Sequence, residues 1–397
     1  MALLKELENG KHKYFRLVGK VKITEKSFTG PRTYEPSTWY GVNESFGIDT
    51  GNENIVWVKV GGGYDLKKNT ISKRDADYKL LEIPVADRHN EAWISRVNDG
   101  QFKRASILKD DEGKNIQEKF ISDIDYAEYL QENLVEGMEV VVSGEVSYSW
   151  GKDGETVYRN FDVKNIYLNP VVENEKGEKC LKNAHDAFVR QTYLVHEGSL
   201  DSRYKKDLEK DGEIVISLFV PQYISNIKRN GQKIMMKRVM PVHQALVYRV
   251  DTNDKDNLER AMKWPERLFK VGRDKIREIH LISKINEGHS TQAGVSQISP
   301  SLQELIDEGL ISLEDVKSQT TVRGARTSEL VYIKPHVEVS AEGVAIPYLD
   351  DKYDANVLVA PMFDDSEGED DSIDDLEDKE EKVESIGEDE FASLFGI

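Results

Sequence analysis

Cysteine is almost absent from this chain of 397 residues, which contains only Cys180. A single thiol can form neither an internal disulfide nor the zinc sites that cysteine pairs build. No stretch approaches the ~18 consecutive apolar residues of a membrane-spanning helix. The N-terminal "MALLKELENGKHKYF" also lacks the apolar core of a signal peptide. We therefore expect a cytoplasmic protein that makes no membrane contact.

Motifs for bond chemistry are also missing. The sequence holds no phosphate-binding loop, dinucleotide fingerprint, paired-histidine helix or nucleophile elbow, and its eight histidines show no ligand spacing. Asp123 and Asp125 stand two residues apart, but we interpret them as first-turn acids that the helix dipole favours. We predict no enzyme activity, no cofactor and no metal. A metal-dependent nuclease or polymerase accessory that uses these two aspartates is the alternative.

Charge is distributed unevenly along the chain. The formal net charge is −19, and residues 364–397 hold 16 Asp or Glu against 2 Lys, a net of −14. The body therefore carries −5 (−19 minus −14) and contains local basic clusters. This length, with 38% hydrophobic and 32% charged residues, predicts two or three folded domains followed by an acidic tail.

Alternation with a period of two predicts the strands of the N-terminal domain. The pattern predicts strands over 13–23, 53–65 and 78–87, a loop over 24–47, a helix from Ser122 to Gly137, and a hairpin over 137–168. Three strands, a helix and a hairpin follow the order of a five-stranded OB barrel. Gly144 lies inside the hairpin's first strand, where a barrel strand commonly bends.

The stretch "LVEGMEVVVSGEVSYSWGKDGETVYRNFDVKNIYL" (134–168) resembles the end of the OB fold in single-stranded DNA-binding proteins of bacteria and phages. The likeness covers about 35 of the 397 residues. The acidic tail with an apolar end is similar to the same family, although bacterial members finish in Pro-Phe and this chain finishes Phe395-Gly396-Ile397. The resemblance implies single-stranded DNA binding, no bond chemistry and phage encoding.

The whole sequence predicts a mainly β protein with some helix (α+β). Further strands are expected over 213–223, 235–250 and 276–286, and a helix over 254–264. The predicted domains are an OB-type barrel over 1–170, a linker over 171–185, a second β-rich domain over 186–297 that a divergent OB barrel would explain, an accessory unit of two helices and a hairpin near Gly324 over 298–349, and a disordered acidic tail over 350–397.

Aromatic and basic residues occur together in the first domain. Single-stranded DNA needs cations for its phosphates and aromatic faces for its unstacked bases. Core positions and a solvated basic face are the alternatives, and core positions are the prediction for Phe15, Tyr148, Phe161 and Tyr167. The candidate binding residues are Lys22, Arg32, Trp39, Tyr40, Trp57, Lys59, Lys67, Lys68, Arg74, Trp93, Arg96, Lys103, Arg104, Trp150 and Arg159.

A second basic cluster lies in "NIKRNGQKIMMKR" (226–238), which contains no acidic residue. In a chain of net charge −19 such a run favours a role in phosphate binding. An exposed hairpin without a ligand is the alternative. The predicted phosphate contacts are Lys228, Arg229, Lys233, Lys237 and Arg238.

The acidic tail ends in an apolar tip. Phe391, Leu394 and Phe395 stand at helical spacing, and Ile397 adds an apolar terminus. One apolar turn of this kind fits a hydrophobic groove on a partner. We predict that the tip recruits replication or recombination proteins, and a solubilising tail with an incidental apolar end is the alternative.

These patterns together predict a single-stranded DNA-binding protein that acts in DNA replication, recombination or repair. A structural or assembly protein whose barrel contacts other proteins is the second class. The sequence leaves open the preference for DNA over RNA, the site size, and the oligomeric state, a homo-oligomer included.

Overall fold

The computed structural model of the chain describes residues 6–34, 36–150, 156–174, 176–229, 232–251, 259, 261–292, 322–326, 328–339 and 345–358. Within these ranges the protein is mostly β with a few short helices, as predicted. No helix among the described residues is long and apolar enough to cross a membrane.

The N-terminal part contributes twelve described strands and two described α-helices. The strands are β1 (Lys13–Lys22), β2 (Arg32–Thr33), β3 (Trp39–Asp49), β4 (Ile55–Asp65), β5 (Thr70–Arg74), β6 (Leu80–Pro84), β7 (Lys103–Lys109), β8 (Asn115–Phe120), β9 (Glu139–Trp150), β10 (Val157–Leu168), β11 (Val171–Glu173) and β12 (Lys179–Leu181). The helices are α1 (Glu91–Ile94) and α2 (Asp123–Asn133), with 3-10 turns at Val85–Asp87 and Asp99–Gln101.

The C-terminal part contributes ten described strands and two described α-helices. The strands are β13 (Asp186–Val195), β14 (Glu213–Arg229), β15 (Gln232–Arg249), β16 (Lys275–Asn286), β17 (His289–Gln292), β18 (Val322–Arg326), β19 (Glu329–Pro335), β20 (Val337–Val339), β21 (Ala345–Pro347) and β22 (Leu349–Asp354). The helices are α3 (Tyr204–Asp211) and α4 (Lys263–Phe269), and a 3-10 turn, Ala355–Leu358, follows β22.

Five strands of the N-terminal part pair in a closed circuit, called here the first circuit. β1 pairs with β3, β3 with β4, β4 with β10 in parallel, β10 with β9, and β9 with β1. Numbered along the chain, the strands neighbour one another in the order 1-2-3-5-4-1, and α2 lies between the third and the fourth. Ser122 caps α2 by accepting a hydrogen bond from the Asp125 amide, as expected. The predicted core residues Phe15, Tyr148 and Phe161 are buried inside the circuit.

The second strand of this circuit lies where the sequence predicts a loop. β3 alternates buried Val42, Phe46 and Ile48 with an outward set that consists mainly of glycine, serine and asparagine. That outward set gives the stretch the composition of a loop and conceals the alternation. The predicted third strand is β6, which pairs only with β5 in a separate hairpin. The third strand of the circuit is instead β4, which continues through its three glycines to Asp65.

Gly144 and Gly62 permit close approaches in this circuit. A Cβ at Gly144 would lie 2.0 Å from the carbonyl oxygen of Asp162, next to a register shift in β10, which agrees with the predicted bend. Gly62 has φ +151°, and its Cβ would lie 2.0 Å from Oδ2 of Asp123 at the start of α2. Only glycine adopts this backbone conformation at low cost while leaving room for the helix.

The C-terminal part repeats the same connectivity in a second circuit. β13 pairs with β14, β14 with β15, β15 with β19 in parallel, β19 with β16, and β16 with β13. The order is again 1-2-3-5-4-1, and α4 lies between the third and fourth strands. The predicted second domain thus acquires its fifth strand from residues 329–335, which the sequence analysis assigns to the accessory unit.

The accessory unit and the linker differ from their predicted forms. The hairpin expected near Gly324 is not seen in the described strands, because β18 pairs with β17 and not with β19. The helices predicted over 299–321 lie outside the described residues. The linker contains a small hairpin, because β11 pairs with β12.

Residues 349–358 form part of the folded body, although the sequence analysis places the start of the tail at 350. β22 pairs with β16, and Tyr353 is buried against Leu194 and Ile276. The acids of this strand face cations of β16, with Asp351 2.7 Å from Arg277 and Asp354 3.5 Å from Lys275. Paired acids do not repel one another as the unpaired acids of a tail do.

A direct strand pairing joins the two circuits. β1 pairs with β13 in antiparallel fashion from Lys13 opposite Gln191 to Val18 opposite Asp186. One hydrophobic cluster includes buried residues of both circuits. The circuits therefore share a continuous sheet and a common core.

Candidate nucleic-acid interface

The outer face of β3 and β4 is nearly bare between two exposed tryptophans. Trp39 is 43% exposed at one end and Trp57 is 38% exposed towards the other. The neighbouring residues that alternate inward on β4 are fully buried valines, so this face points away from the core. The cross-strand pairs on the face are Trp39 with Asp65, Gly41 with Gly63, Asn43 with Gly61, Ser45 with Lys59, and Gly47 with Trp57.

Four residues of this face are glycines: Gly41, Gly47, Gly61 and Gly63. A side chain at Gly61 would meet nothing nearer than 3.7 Å, so the space above that residue is open, whereas Gly41 and Gly47 are buried. Exposed aromatic rings are the side chains on which unstacked nucleobases stack. Trp39 and Trp57 share this outer face.

Lys59 lies on this face and reaches the neighbouring strand. Its ammonium donates a hydrogen bond to the side-chain oxygen of Asn160 on β10. Tyr158, two residues earlier on the same side of β10, is 55% exposed. Tyr158 is absent from the sequence-predicted site, although its alternation with Val157 and Arg159 is a signal that could have placed it on the outer face.

The loop between β1 and β3 is fixed against the sheet by a buried carboxylate. Glu44, 1% exposed, accepts hydrogen bonds from the backbone amide of Thr29 at 2.7 Å and from the Thr29 hydroxyl at 3.3 Å. Arg32 is exposed on this loop and lies over the Tyr34 ring at 5.3 Å. Lys22, at the end of β1, pairs with exposed Glu136 at 3.3 Å. Arg32, opposite Gly41, lies near the Trp39 end of the outer face, whereas Lys22, opposite Gly47, lies near the Trp57 end.

Three of the predicted aromatic platforms have other packing partners. Tyr40 packs against the core and contacts Tyr64 edge to face at 5.6 Å. Trp93 packs against a small cluster around Ile83 and Phe102, and Arg96 covers its ring at 4.7 Å. Trp150 is half-buried against the main core at the end of β9. We leave these three side chains out of the proposed base-stacking surface.

Several predicted cations are already engaged within the protein. Lys103 is buried and lies 2.6 Å from Asp123. Arg104 lies 2.7 Å from Asp99, and Arg74 donates to the carbonyl of Tyr78 at 2.9 Å. Burial leaves the Lys103 ammonium no surface to offer a phosphate. Lys67 and Lys68, by contrast, are exposed in the loop after β4.

Arg159 joins the two circuits. Its guanidinium donates to Glu287 at 2.8 Å and to Ser328 at 3.1 Å, and its side chain is 10% exposed. Both partners belong to the C-terminal part of the chain. This arginine therefore has a structural position at the junction, and the sequence could not show it because Glu287 is 128 residues away.

The basic cluster of the second circuit lies on a long two-stranded ribbon. β14 and β15 pair from Glu213 opposite Arg249 to Arg229 opposite Gln232. Their pairings with β13 and β19 involve only Phe219, Leu246 and Val247, so the far end of the ribbon extends beyond the circuit. Lys237 and Arg238 are exposed there. The register places Lys228 opposite Lys233, and Arg229 is in the last pair before the turn.

The two aspartates considered for a metal site do not share one. Asp123 pairs with Lys103, whereas Asp125 lies 2.9 Å from Arg88 and 3.3 Å from His89. The predicted tip, Phe391, Leu394, Phe395 and Ile397, lies outside the described residues.

Comparison with known proteins gives a limited result. No protein-family model matches the sequence, and no curated protein matches it. Two solved structures of the single-stranded DNA binding protein from Thermus aquaticus are similar to this chain. The structure of a deletion mutant has 12% sequence identity and a TM-score of 0.28, and the match covers 70% of this chain and 87% of that chain. The wild-type structure has 10% sequence identity and a TM-score of 0.24, and the match covers 70% of this chain and 86% of that chain. At these TM-scores the likeness carries no argument about fold or function.

We expect Arg159→Ala to lower the free energy of unfolding by ~3–5 kcal/mol, because it leaves the largely buried Glu287 carboxylate without its cationic partner. The measurement is denaturant unfolding. Lys68→Ala, which removes an exposed cation, is the control and should change stability by less than ~0.5 kcal/mol. If Arg159→Ala folds with normal stability but loses oligonucleotide binding, Arg159 is a DNA contact, as the sequence alone suggests.

Proposed function

We propose that this protein binds single-stranded DNA and that both circuits are OB barrels. Five strands in the order 1-2-3-5-4-1, with a helix between the third and fourth, correspond to the small Greek-key barrel of that fold. OB folds bind oligonucleotides on the face of strands 2 and 3 and with the loops that flank it. Those strands are β3 and β4 in the first circuit and β14 and β15 in the second.

The observation that carries the proposal is the nearly bare outer face of β3 and β4 between Trp39 and Trp57. Each stacked base contributes ~1–3 kcal/mol and is accepted regardless of sequence, because every base has an aromatic face. Lys59, Arg32, Lys67 and Lys68 supply positive charge on this face and its flanking loops. Tyr158, exposed on β10, stands next to the β9–β10 turn, the second loop that OB folds use.

The basic ribbon occupies the same position in the second circuit as the tryptophan face does in the first. Its sequence concentrates five cations and no acid in residues 226–238. We assign Lys228, Arg229, Lys233, Lys237 and Arg238 to backbone phosphates. A role in replication or recombination, and phage encoding, remain predictions.

Fluorescence anisotropy with labelled oligo(dT), a duplex of equal length and single-stranded RNA, each with and without Mg²⁺, tests the proposal. We expect the tightest binding to a single strand, with no requirement for Mg²⁺. Absence of oligonucleotide binding favours the assembly protein, and Mg²⁺-dependent cleavage favours the nuclease.

Trp39→Ala and Trp57→Ala should each weaken oligo(dT) binding by ~1–3 kcal/mol, since each removes a stacking face. Trp264, on α4 and 40% exposed, is the matched control because it lies away from this surface. Its replacement by Ala should leave anisotropy titrations unchanged. The stacking assignment fails if the three variants bind alike.

Lys233, Lys237 and Arg238 changed together to Ala should flatten the plot of log affinity against log salt by up to ~2, because each neutralised phosphate of a single strand contributes a slope of ~0.7. A triple change of Lys205, Lys206 and Lys210 on α3 removes the same charge elsewhere and should leave the slope nearly unchanged. Equal slopes for both triple variants would mean that the ribbon contributes only general charge.

We further propose that the acidic tail competes with DNA for the basic surfaces and that its tip recruits a partner protein. A tethered polyanion acts at a high effective concentration. Removal of 364–397 should tighten DNA binding at low salt, and the gain should shrink as salt screens the competition. Removal of 391–397 alone should leave DNA affinity unchanged and abolish capture of replication proteins. Weaker DNA binding after the short truncation would place the tip in the DNA site or the fold.

A further inference from the structure

Three histidines that are far apart in the sequence meet at the junction of the two circuits. His12 lies just before β1, His280 lies on β16, and His336 follows β19. The His12 ring is 4.4 Å from the His280 ring and 4.9 Å from the His336 ring, centroid to centroid. The strand pairings that hold β1, β13, β16 and β19 side by side bring them together.

Glu338 on β20 joins this group. The ligand-type atoms of His12, His336 and Glu338 all lie within 4.8 Å of one another. Nε2 of His12 is 3.8 Å from the Glu338 carboxylate, which is too far for a hydrogen bond. Nδ1 of His12 and Nδ1 of His336 are buried and have no hydrogen-bond partner among the described residues. Buried polar atoms are rarely left in this state.

The surroundings hold these groups in place. His280 is fully buried; its Nδ1 lies 2.9 Å from the Glu338 carboxylate and its Nε2 3.4 Å from Glu278. Tyr348 stacks on the His280 ring at 4.1 Å. A hydrogen bond to a carboxylate from a second residue is the usual support for a metal ligand. Glu338 is 39% exposed, so an ion can reach the site from solvent.

The charges near these residues have opposite effects on a bound cation. The Arg190 guanidinium acts against a cation here, and the Glu338 and Glu278 carboxylates favour one. Lys352 is occupied by Glu8 at 2.5 Å and by Glu278 at 3.5 Å. Burial is the main cause that lowers the pKa of His12 and that of His336.

We propose that His12, His336 and Glu338 form a binding site for a transition-metal dication, with Zn²⁺ as the preferred ion. Two imidazoles and one carboxylate are a common donor set for Zn²⁺, with water in the fourth position, whereas Mg²⁺ prefers oxygen ligands alone. His280 is a positioning residue that orients Glu338. The bound ion would fasten the segment before β1 to the chain that follows β19, and so fix the two circuits to each other.

Calorimetric titration of the chelator-treated full chain with Zn²⁺, Co²⁺ and Mg²⁺ tests the site. We expect one Zn²⁺ per chain, a visible Co²⁺ spectrum typical of low coordination number, a higher Tm with Zn²⁺, and no binding of Mg²⁺. His12→Ala and Glu338→Gln should each weaken Zn²⁺ binding by at least ~10-fold, the lower limit for loss of even a supporting partner.

His89→Ala is the control, because His89 also lies beside a carboxylate but stands alone and exposed. Circular dichroism of the metal-free variants shows whether they fold. Glu338→Gln keeps the size of the side chain and an oxygen that can accept a hydrogen bond from His280. If His12→Ala does not fold, the Zn²⁺ affinity of Glu338→Gln is the test of the site. Absence of stoichiometric Zn²⁺ binding, or equal affinity in the wild type, Glu338→Gln and His89→Ala, overturns the proposal.

Discussion

The pairing of β1 with β13 is the constraint on which the rest of the structure depends. β1 also pairs with β9 and β3, so one ten-residue strand closes the first circuit and attaches it to the second. Two buried polar side chains along this seam have partners: Arg16 donates to Asn183 at 3.0 Å, and Tyr148 donates to Gln191 at 3.0 Å. A buried polar group without a partner is costly. A shift of the pairing register would separate these partners and is therefore disfavoured.

The seam also determines which charges remain for a ligand. It brings Glu287 to Arg159 and places His12 beside His336 and Glu338. Within the first circuit, Lys103 lies on the inner side with Asp123 because Gly62 lets α2 approach β4. Among the predicted DNA contacts, Arg32, Lys67 and Lys68 remain exposed beside β3 and β4, and Lys237 and Arg238 remain exposed on the ribbon. The predicted cations are thus divided between structural ion pairs and the proposed binding surface.

Sequence patterns predicted the parts of the fold that are encoded locally. The alternation of β1, β9 and β10, the Ser122 cap and the bend at Gly144 each depend on residues close in the chain. β3 was predicted as a loop, because its outward glycines and polar residues give it the composition of a loop. The pairing of β19 within its circuit was not predicted, because β19 follows the fourth strand only after more than forty residues, a distance at which a periodic pattern contains no information about pairing.

The residues of the candidate site also differ in how far they could be predicted from local sequence. Trp39 was predicted because it stands among glycine, serine and charged residues, and Trp57 and Lys59 were predicted because they share one face of a predicted strand. Lys103 and Arg159 were assigned to DNA because their acidic partners are far away in the sequence or on another element. The histidine cluster could not be predicted from the spacing of residues 12, 280 and 336, because only the tertiary pairing of strands brings them together.

Photochemical cross-linking of an oligo(dT) containing iododeoxyuridine, followed by mass spectrometry of the protein peptides, tests the central claim most directly. Stacked aromatic residues are favoured partners for such a base. The account predicts cross-links in peptides that contain Trp39, Trp57 or Tyr158, and their loss when unlabelled single strand competes. Cross-links confined to the peptide of Trp264, or spread evenly over exposed aromatic residues, would contradict a single-strand path across the outer face of β3 and β4.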